Sequence, residues 1–227
     1  MKLLGIESSC EVVTVAVCDG ERLEVRAVDG GATPSETLIP VIFDLLTTVG
    51  LELSGLDALV LGVGPGAFTG LRLGCSVAQG LALAADLRIL PVCSLDAIAL
   101  DQARPRVLVA TDARMGETYH ACYARHGDDV QPLAPPACVP PEQVSTPPGQ
   151  WWGAGSAFRA HADRLLVDCA DVAGRIGDAV PRADALLRLA RVRGLDGALD
   201  AAQVAPLYVR DKVALTTTER LARGGKA

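Results

Sequence analysis

The chain has 227 residues, half of them apolar, with 27 acidic against 21 basic side chains, a net charge of -6 and a pI near 5.1. That length buries a substantial core, as one large domain or two lobes of about a hundred residues. The acidic balance argues against a free-standing nucleic-acid binder, although a local basic patch can hide in the average.

The start, Met1 to Glu7, has too short an apolar run before a carboxylate for a signal peptide, so a cytoplasmic protein with no membrane segment is expected. Lys2 to Glu7, Val12 to Cys18 and Arg22 to Val28 read as strands, with Asp19-Gly20 as a hairpin turn. Thr33-Pro34-Ser35-Glu36 has the form of a capping box opening a helix to Val49. The apolar residues of that helix recur at three- and four-residue steps, and Gly50 ends it. An apolar run from Asp57 to Leu61 predicts a buried strand, and Cys75 to Ala84 reads as a helix. Arg88 to Cys93 predicts another strand, and Ser94 is placed as the cap of a helix through about Ala103.

Pro105 marks the expected lobe boundary, giving lobes 1–104 and 105–227. Beyond it, Arg106 to Thr111 and Glu117 to Tyr123 repeat the opening pattern, each lobe's first strand ending near a carboxylate, Glu7 or Asp112. Pro132 to Pro148 holds seven of the 14 prolines and is expected to be an irregular surface excursion. Trp151 to Ser156 looks like a strand entering a second glycine turn, and Pro181 to Arg193 like an amphipathic helix stopped by Gly194. The polar tail after Leu215, ending in Gly224-Gly225-Lys226, is expected to be mobile unless a partner orders it.

Between the buried strand and the second long helix lies Gly62-Val63-Gly64-Pro65-Gly66-Ala67-Phe68-Thr69-Gly70-Leu71-Arg72-Leu73-Gly74. Backbone N–H groups in such a loop can meet an anion at the start of a helix, which makes Gly64, Gly66, Thr69 and Gly70 a candidate anion or nucleotide loop. The same glycines serve equally as a tight turn with close helix packing, and their spacing fits neither a P-loop nor a dinucleotide fingerprint. Glu7 and Asp112 likewise have two readings: metal anchors beside a phosphate, or carboxylates accepting turn N–H bonds. Arg114 is expected to bind an anion or to pair with Glu117. The three histidines have no metal-ligand spacing, Ser8 and Ser9 have no nearby base, and the seven cysteines never form Cys-x-x-Cys.

Gly64-Pro65-Gly66-Ala67-Phe68-Thr69-Gly70-Leu71-Arg72 resembles the GPGSFTGLR signature of the TsaB family, with Ala67 in the usual Ser place. The likeness extends to Ala78-Gln79-Gly80-Leu81-Ala82, Asp112 to Glu117 and Pro206-Leu207-Tyr208-Val209-Arg210, in the family order. It departs at Pro34, where the family usually has His, and at the start, Leu4 to Glu11, which looks more like the catalytic paralogue TsaD.

The resemblance implies a shortened two-lobed α/β fold of the actin-like ATPase and sugar-kinase, or ribonuclease H-like, superfamily. It implies a non-catalytic subunit with no catalytic residue and no metal. Such a subunit pairs with TsaD, works with the ATPase TsaE, homodimerises when alone and meets tRNA only through the complex. The process is transfer of threonylcarbamoyl from its adenylate to the adenosine beside the anticodon, in tRNAs reading codons that begin with adenine. No intrinsic cofactor is implied, with ATP or ADP a candidate at the partner interface. The resemblance puts the contact on the two long helices, with Leu38, Val41, Ile42, Leu45, Leu71, Arg72, Cys75 and Gln79 as candidate interface residues. An actin-like ATP-dependent enzyme acting on its own is the alternative.

Overall fold

The computed structural model describes residues 1–28, 34–167 and 175–210. The opening meander is β1 (Lys2–Glu7), β2 (Thr14–Asp19) and β3 (Arg22–Ala27), antiparallel in register from Lys2 opposite Asp19 to Glu7 opposite Thr14. Helix α1 (Pro34–Val49) leads to β4 (Ala58–Gly62), every residue of which is buried. That continuous apolar run suits a parallel strand covered on both faces, and β4 pairs parallel with β1. Helix α2 (Phe68–Ala85), β5 (Ile89–Val92) and α3 (Ser94–Asp101) complete the first unit, whose sheet order is β3-β2-β1-β4-β5. Thr33 of the expected capping box and the tail from residue 211 lie outside the described residues.

The second unit repeats this plan. Strands β6 (Arg106–Asp112), β7 (Thr118–His126) and β8 (Asp129–Pro132) form the meander, and β9 (Ala137–Val139) pairs with β7. Strand β10 (Trp152–Ala154) runs parallel to β6, and β11 (Arg175–Ile176) parallel to β10. The order β8-β7-β6-β10-β11 matches that of the first sheet, strand for strand and in direction. The described residues between β10 and β11 include the four-residue helix α4 (Ala157–Ala160), and α5 (Ala183–Arg193) closes the unit.

The apolar residues sort into layers. Leu38, Ile42 and Leu45 of α1 and Cys75, Ala78 and Ala82 of α2 cover one face of the first sheet. Helices α3 and α5 pack between the two sheets, and Trp151, Phe158 and Leu165 cover the outer face of the second. Helix α5 is seated directly on β1: Gly5 approaches Ala183 and Leu187, where a side chain would crowd them, and the Ala183 N–H donates to Thr14 Oγ1 at 2.9 Å.

After α5 the chain returns to the first lobe, a feature absent from the sequence reading. Leu199 bridges to Ile89 at the sheet edge. The helical turn Ala201–Gln203 lies along α2, where Gln79 Nε2 donates to the carbonyls of Ala201 and Val204, both at 3.0 Å. The Leu207 N–H then donates to Val63 at 2.8 Å, and Arg210 crosses to the turn after β6.

Candidate functional site

The glycine loop sits against the turn that follows β1. A Cβ added at Gly66 would strike the Ser9 carbonyl, one at Gly70 the Ser8 carbonyl and one at Gly74 the Ser8 hydroxyl. The Ala67 N–H at the start of α2 donates to the Ser9 carbonyl at 2.6 Å, and Ser8 Oγ donates to the Gly70 carbonyl at 2.8 Å. Gly64, at φ 96°, turns the chain and lies on Leu71. This packing is the tight-turn reading of the glycines: the Cβ side of Gly66 and Gly70 is taken by the protein's own backbone, so α2 can lie close to β1, while Gly66 and Ala67 also border a cleft between the lobes. Thr69 is exposed on the first turn of α2.

Glu7 is fully buried among the same elements. It accepts the Ser9 N–H at 2.7 Å and the Ser94 hydroxyl at 2.8 Å, while Ser94 Oγ accepts the Gly64 N–H at 3.1 Å. Ser94 therefore ties β1 to the glycine turn, and the side-chain cap expected of it at α3 is not formed. Burial pushes the Glu7 carboxyl above its ordinary value, and the hydrogen bonds from Ser9 and Ser94 pull it part of the way back. Both Glu7 oxygens are engaged and enclosed, which is the turn-accepting reading of this carboxylate and not the metal-anchor one.

A cleft of about 500 Å³ separates the two turns, lined among others by Ser9, Glu11, Ala67, Asp112, Arg114 and Ser156. Asp112 Oδ1 accepts the Arg114 N–H at 3.0 Å and lies 3.1 Å from His161 Nε2, while the Asp112 N–H donates to Ser156 Oγ at 2.9 Å. Arg114 spans the cleft to Glu11 at 2.8 Å, not to Glu117 as expected. Glu117 instead pairs with Arg210 at 2.6 Å, and Arg210 also donates to the Ala113 carbonyl at 2.9 Å. The carboxylates of the two lobes thus serve turns and ion pairs. Among the described residues no group of three His, Cys, Asp or Glu side chains could hold a metal ion, and no helix is long and apolar enough to cross a membrane.

The helix faces divide differently from the expected interface. Leu38, Ile42 and Leu45 are fully buried, Leu71 and Cys75 nearly so, and Val41 packs against the same core. Gln79 is half-buried and holds the returning segment. Of the candidate interface residues, Leu38, Ile42, Leu45, Leu71 and Cys75 thus face the core and Val41 and Gln79 do so in part, because the strongest apolar period marks the stripe on the sheet. Arg72 is exposed, its guanidinium 3.8 Å from the centre of the Phe68 ring. The outward apolar residues are Ile39 and Phe43 on α1 and Phe68 and Leu83 on α2, with the Tyr208 ring 6.0 Å from that of Phe68.

Two mixed sheets in the same order, facing one another across helices and a cleft, define the ribonuclease H-like, actin-like class. Residues 32–164 match the family model described as TsaD: tRNA N6-adenosine threonylcarbamoyltransferase. The chain is 33% identical over 226 residues to the tRNA threonylcarbamoyladenosine biosynthesis protein TsaB of Escherichia coli K12, covering 94% of this chain and 96% of that one. The Haemophilus influenzae protein of the same name is 32% identical, with 94% and 95% covered. The solved structure of YeaZ from Pseudomonas aeruginosa superposes with a TM-score of 0.80 at 32% identity, over 91% of this chain and 99% of that one. This chain belongs to the TsaB family.

Proposed function

We propose that this chain is the non-catalytic partner subunit of a TsaD-type transferase, acting in the biosynthesis of threonylcarbamoyladenosine in tRNA. In this reading the transferase moves threonylcarbamoyl from its adenylate to the adenosine beside the anticodon, in tRNAs reading codons that begin with adenine. An ATPase of the TsaE type joins the assembly, and any ATP or ADP sits at the partner interface. Family membership supports the process, since the curated relatives carry it in their names. The observation that carries the non-catalytic part is the filled glycine loop. Where an actin-like enzyme would place phosphates, Gly66 and Gly70 are packed on Ser9 and Ser8.

The outward residues of α1 and α2 are the proposed docking face, with Ile39, Phe43 and Phe68 as the apolar centre that a stable interface needs. The same face accounts for a homodimer in the absence of the partner. Light scattering on a size-exclusion column, with the chain alone and mixed with its TsaD, tests the proposal. A one-to-one complex is expected from the native chain and none from Phe43→Asp, which should keep its fold because Phe43 is 45% exposed. An undiminished complex from both Ile39→Asp and Phe43→Asp removes the docking face. Magnesium-dependent ATP hydrolysis by the isolated chain overturns the non-catalytic reading.

A further inference from the structure

The arginines of this acidic chain are not evenly neutralised. Most of those with described side chains sit in ion pairs. Arg72, Arg104, Arg106 and Arg125 meet no carboxylate in ion-pairing range among the described residues, and all but Arg72 gather at one end of the second sheet. Arg104 and Arg106 flank Pro105 where β6 begins, and Arg125 lies on the neighbouring strand with its N–H on the Pro105 carbonyl at 2.9 Å. In the antiparallel register Arg106 faces Ala124, so successive side chains send Arg106 and Arg125 to opposite faces of the sheet end.

The side-chain partners of this cluster leave its charge in place. The Arg104 guanidinium lies 5.2 Å from the centre of the Trp152 ring, and that of Arg106 5.7 Å from Trp151. Among the described residues the Arg125 guanidinium donates to the carbonyls of Leu100 and Gly127, and its Nε is buried without an acceptor. Beside it is a pocket of about 360 Å³ lined by Leu100, Arg125, Asp128, Arg188, Arg191 and Val192. Arg188 and Arg191 there are paired with Asp101 and with the exposed Glu21. Unneutralised arginines held against aromatic rings are suited to phosphates, which match the planar guanidinium fork. A protein partner would want an apolar centre, and among the large apolar side chains lining this pocket only Val192 is exposed.

We propose that this end of the second lobe, through the exposed Arg104 and Arg106, is a contact surface for the sugar-phosphate backbone of RNA. The inference rests on the proposed role in tRNA modification, and places the RNA contact on a different part of the chain from the α1 and α2 docking face. Alone, the net charge of -6 works against the patch, so the contact matters when a partner already holds the RNA.

The test measures binding of an unmodified tRNA transcript to the assembled complex across a salt series. Arg104→Glu with Arg106→Glu is compared with Arg22→Glu plus Arg88→Glu, an equal charge change at exposed arginines of the first lobe. The edge variant is expected to bind about tenfold more weakly or worse, with a salt slope shallower by about 1.5 for two lost phosphate contacts. Should the reversal disturb folding, Arg104→Gln with Arg106→Gln gives the same sign at smaller size. Unchanged affinity and slope in an intact complex overturn the RNA contact and leave the partner role standing. Loss of the protein complex by the edge variant also overturns it, assigning the edge to a protein. If the native chain forms no complex at all, the partner role fails. Photo-cross-linking of the transcript to the isolated chain at low salt then decides the contact: cross-links at residues 104–125, lost in the variant, support it, and their absence overturns it.

Discussion

The two lobes share one strand order and one direction of pairing, yet they dress it differently. In the first, long helices α1 and α2 cover the outer face of the sheet and keep an apolar stripe outward at Ile39, Phe43, Phe68 and Leu83. In the second, that face is closed by Trp151, Phe158 and Val144, drawn from loops and the four-residue α4, and the exposed chemistry is arginine at the sheet end. Both glycine turns are nonetheless filled alike. Gly66 and Gly70 meet the carbonyls of Ser9 and Ser8, while Gly155, at φ 115°, meets the Ala110 carbonyl. The two lobes thus share the framework and the close-packed turn, and differ in what they expose.

The largest effect that could break this comparison lies in those turns. Gly70→Ala and Gly155→Ala should each cost about 3 kcal/mol or more in denaturant unfolding, through backbone collision and, at Gly155, left-handed strain. Gly80→Ala, on the same helix as Gly70 but with open space beside it, should stabilise by about 0.5–1 kcal/mol. A neutral Gly70→Ala would mean that the first turn is open after all, and the ligand reading would return.

Next in size is the clasp between lobes. Arg210→Ala removes the ion pair with Glu117 and the bond to the Ala113 carbonyl, and should cost about 1.5–3 kcal/mol. Arg210→Ala unfolding at the native midpoint would show that the clasp adds nothing to the α5 contacts already joining the lobes.

The smallest effect is the pH dependence at Glu7. Its native carboxyl titrates above the ordinary 4.5, so the folded chain holds that proton more tightly than the unfolded chain. The contribution of Glu7 to stability is therefore greatest at low pH and falls as pH rises from about 4.5 through the native value. The melting temperature of the native chain minus that of Glu7→Gln should decline over that window and then level off. A rising difference would show that the bonds from Ser9 and Ser94 outweigh burial.

Much of the framework was legible in local pattern. The Lys2–Glu7 strand, the Pro34–Val49 helix, the hairpin at Asp19-Gly20 and the repeat beginning at Arg106 all follow from short-range period and turn chemistry. The faces of the helices were harder. Apolar residues at three- and four-residue steps mark more than one stripe of α1, and spacing alone does not say which faces the sheet: Leu38, Ile42 and Leu45 are buried, while Ile39 and Phe43, also four apart, are exposed. The return of the chain onto α2 was illegible because Gln79 and Arg210 find carbonyls more than ninety residues away in sequence.

By itself the sequence determined most first-lobe element types, the doubled lobe plan and the TsaB signature around Gly64 to Arg72, since these depend on neighbours in the chain; β9, inside the stretch expected to be irregular, and the short α4 and β11 carry no such local mark. Only the tertiary structure decided that the glycines accommodate Ser8 and Ser9, that Glu7 is enclosed and that Arg104, Arg106 and Arg125 share one end of a sheet. Those facts turn on which distant backbones and charges come within a few ångströms, a quantity set by packing of the whole chain and carried by no local period.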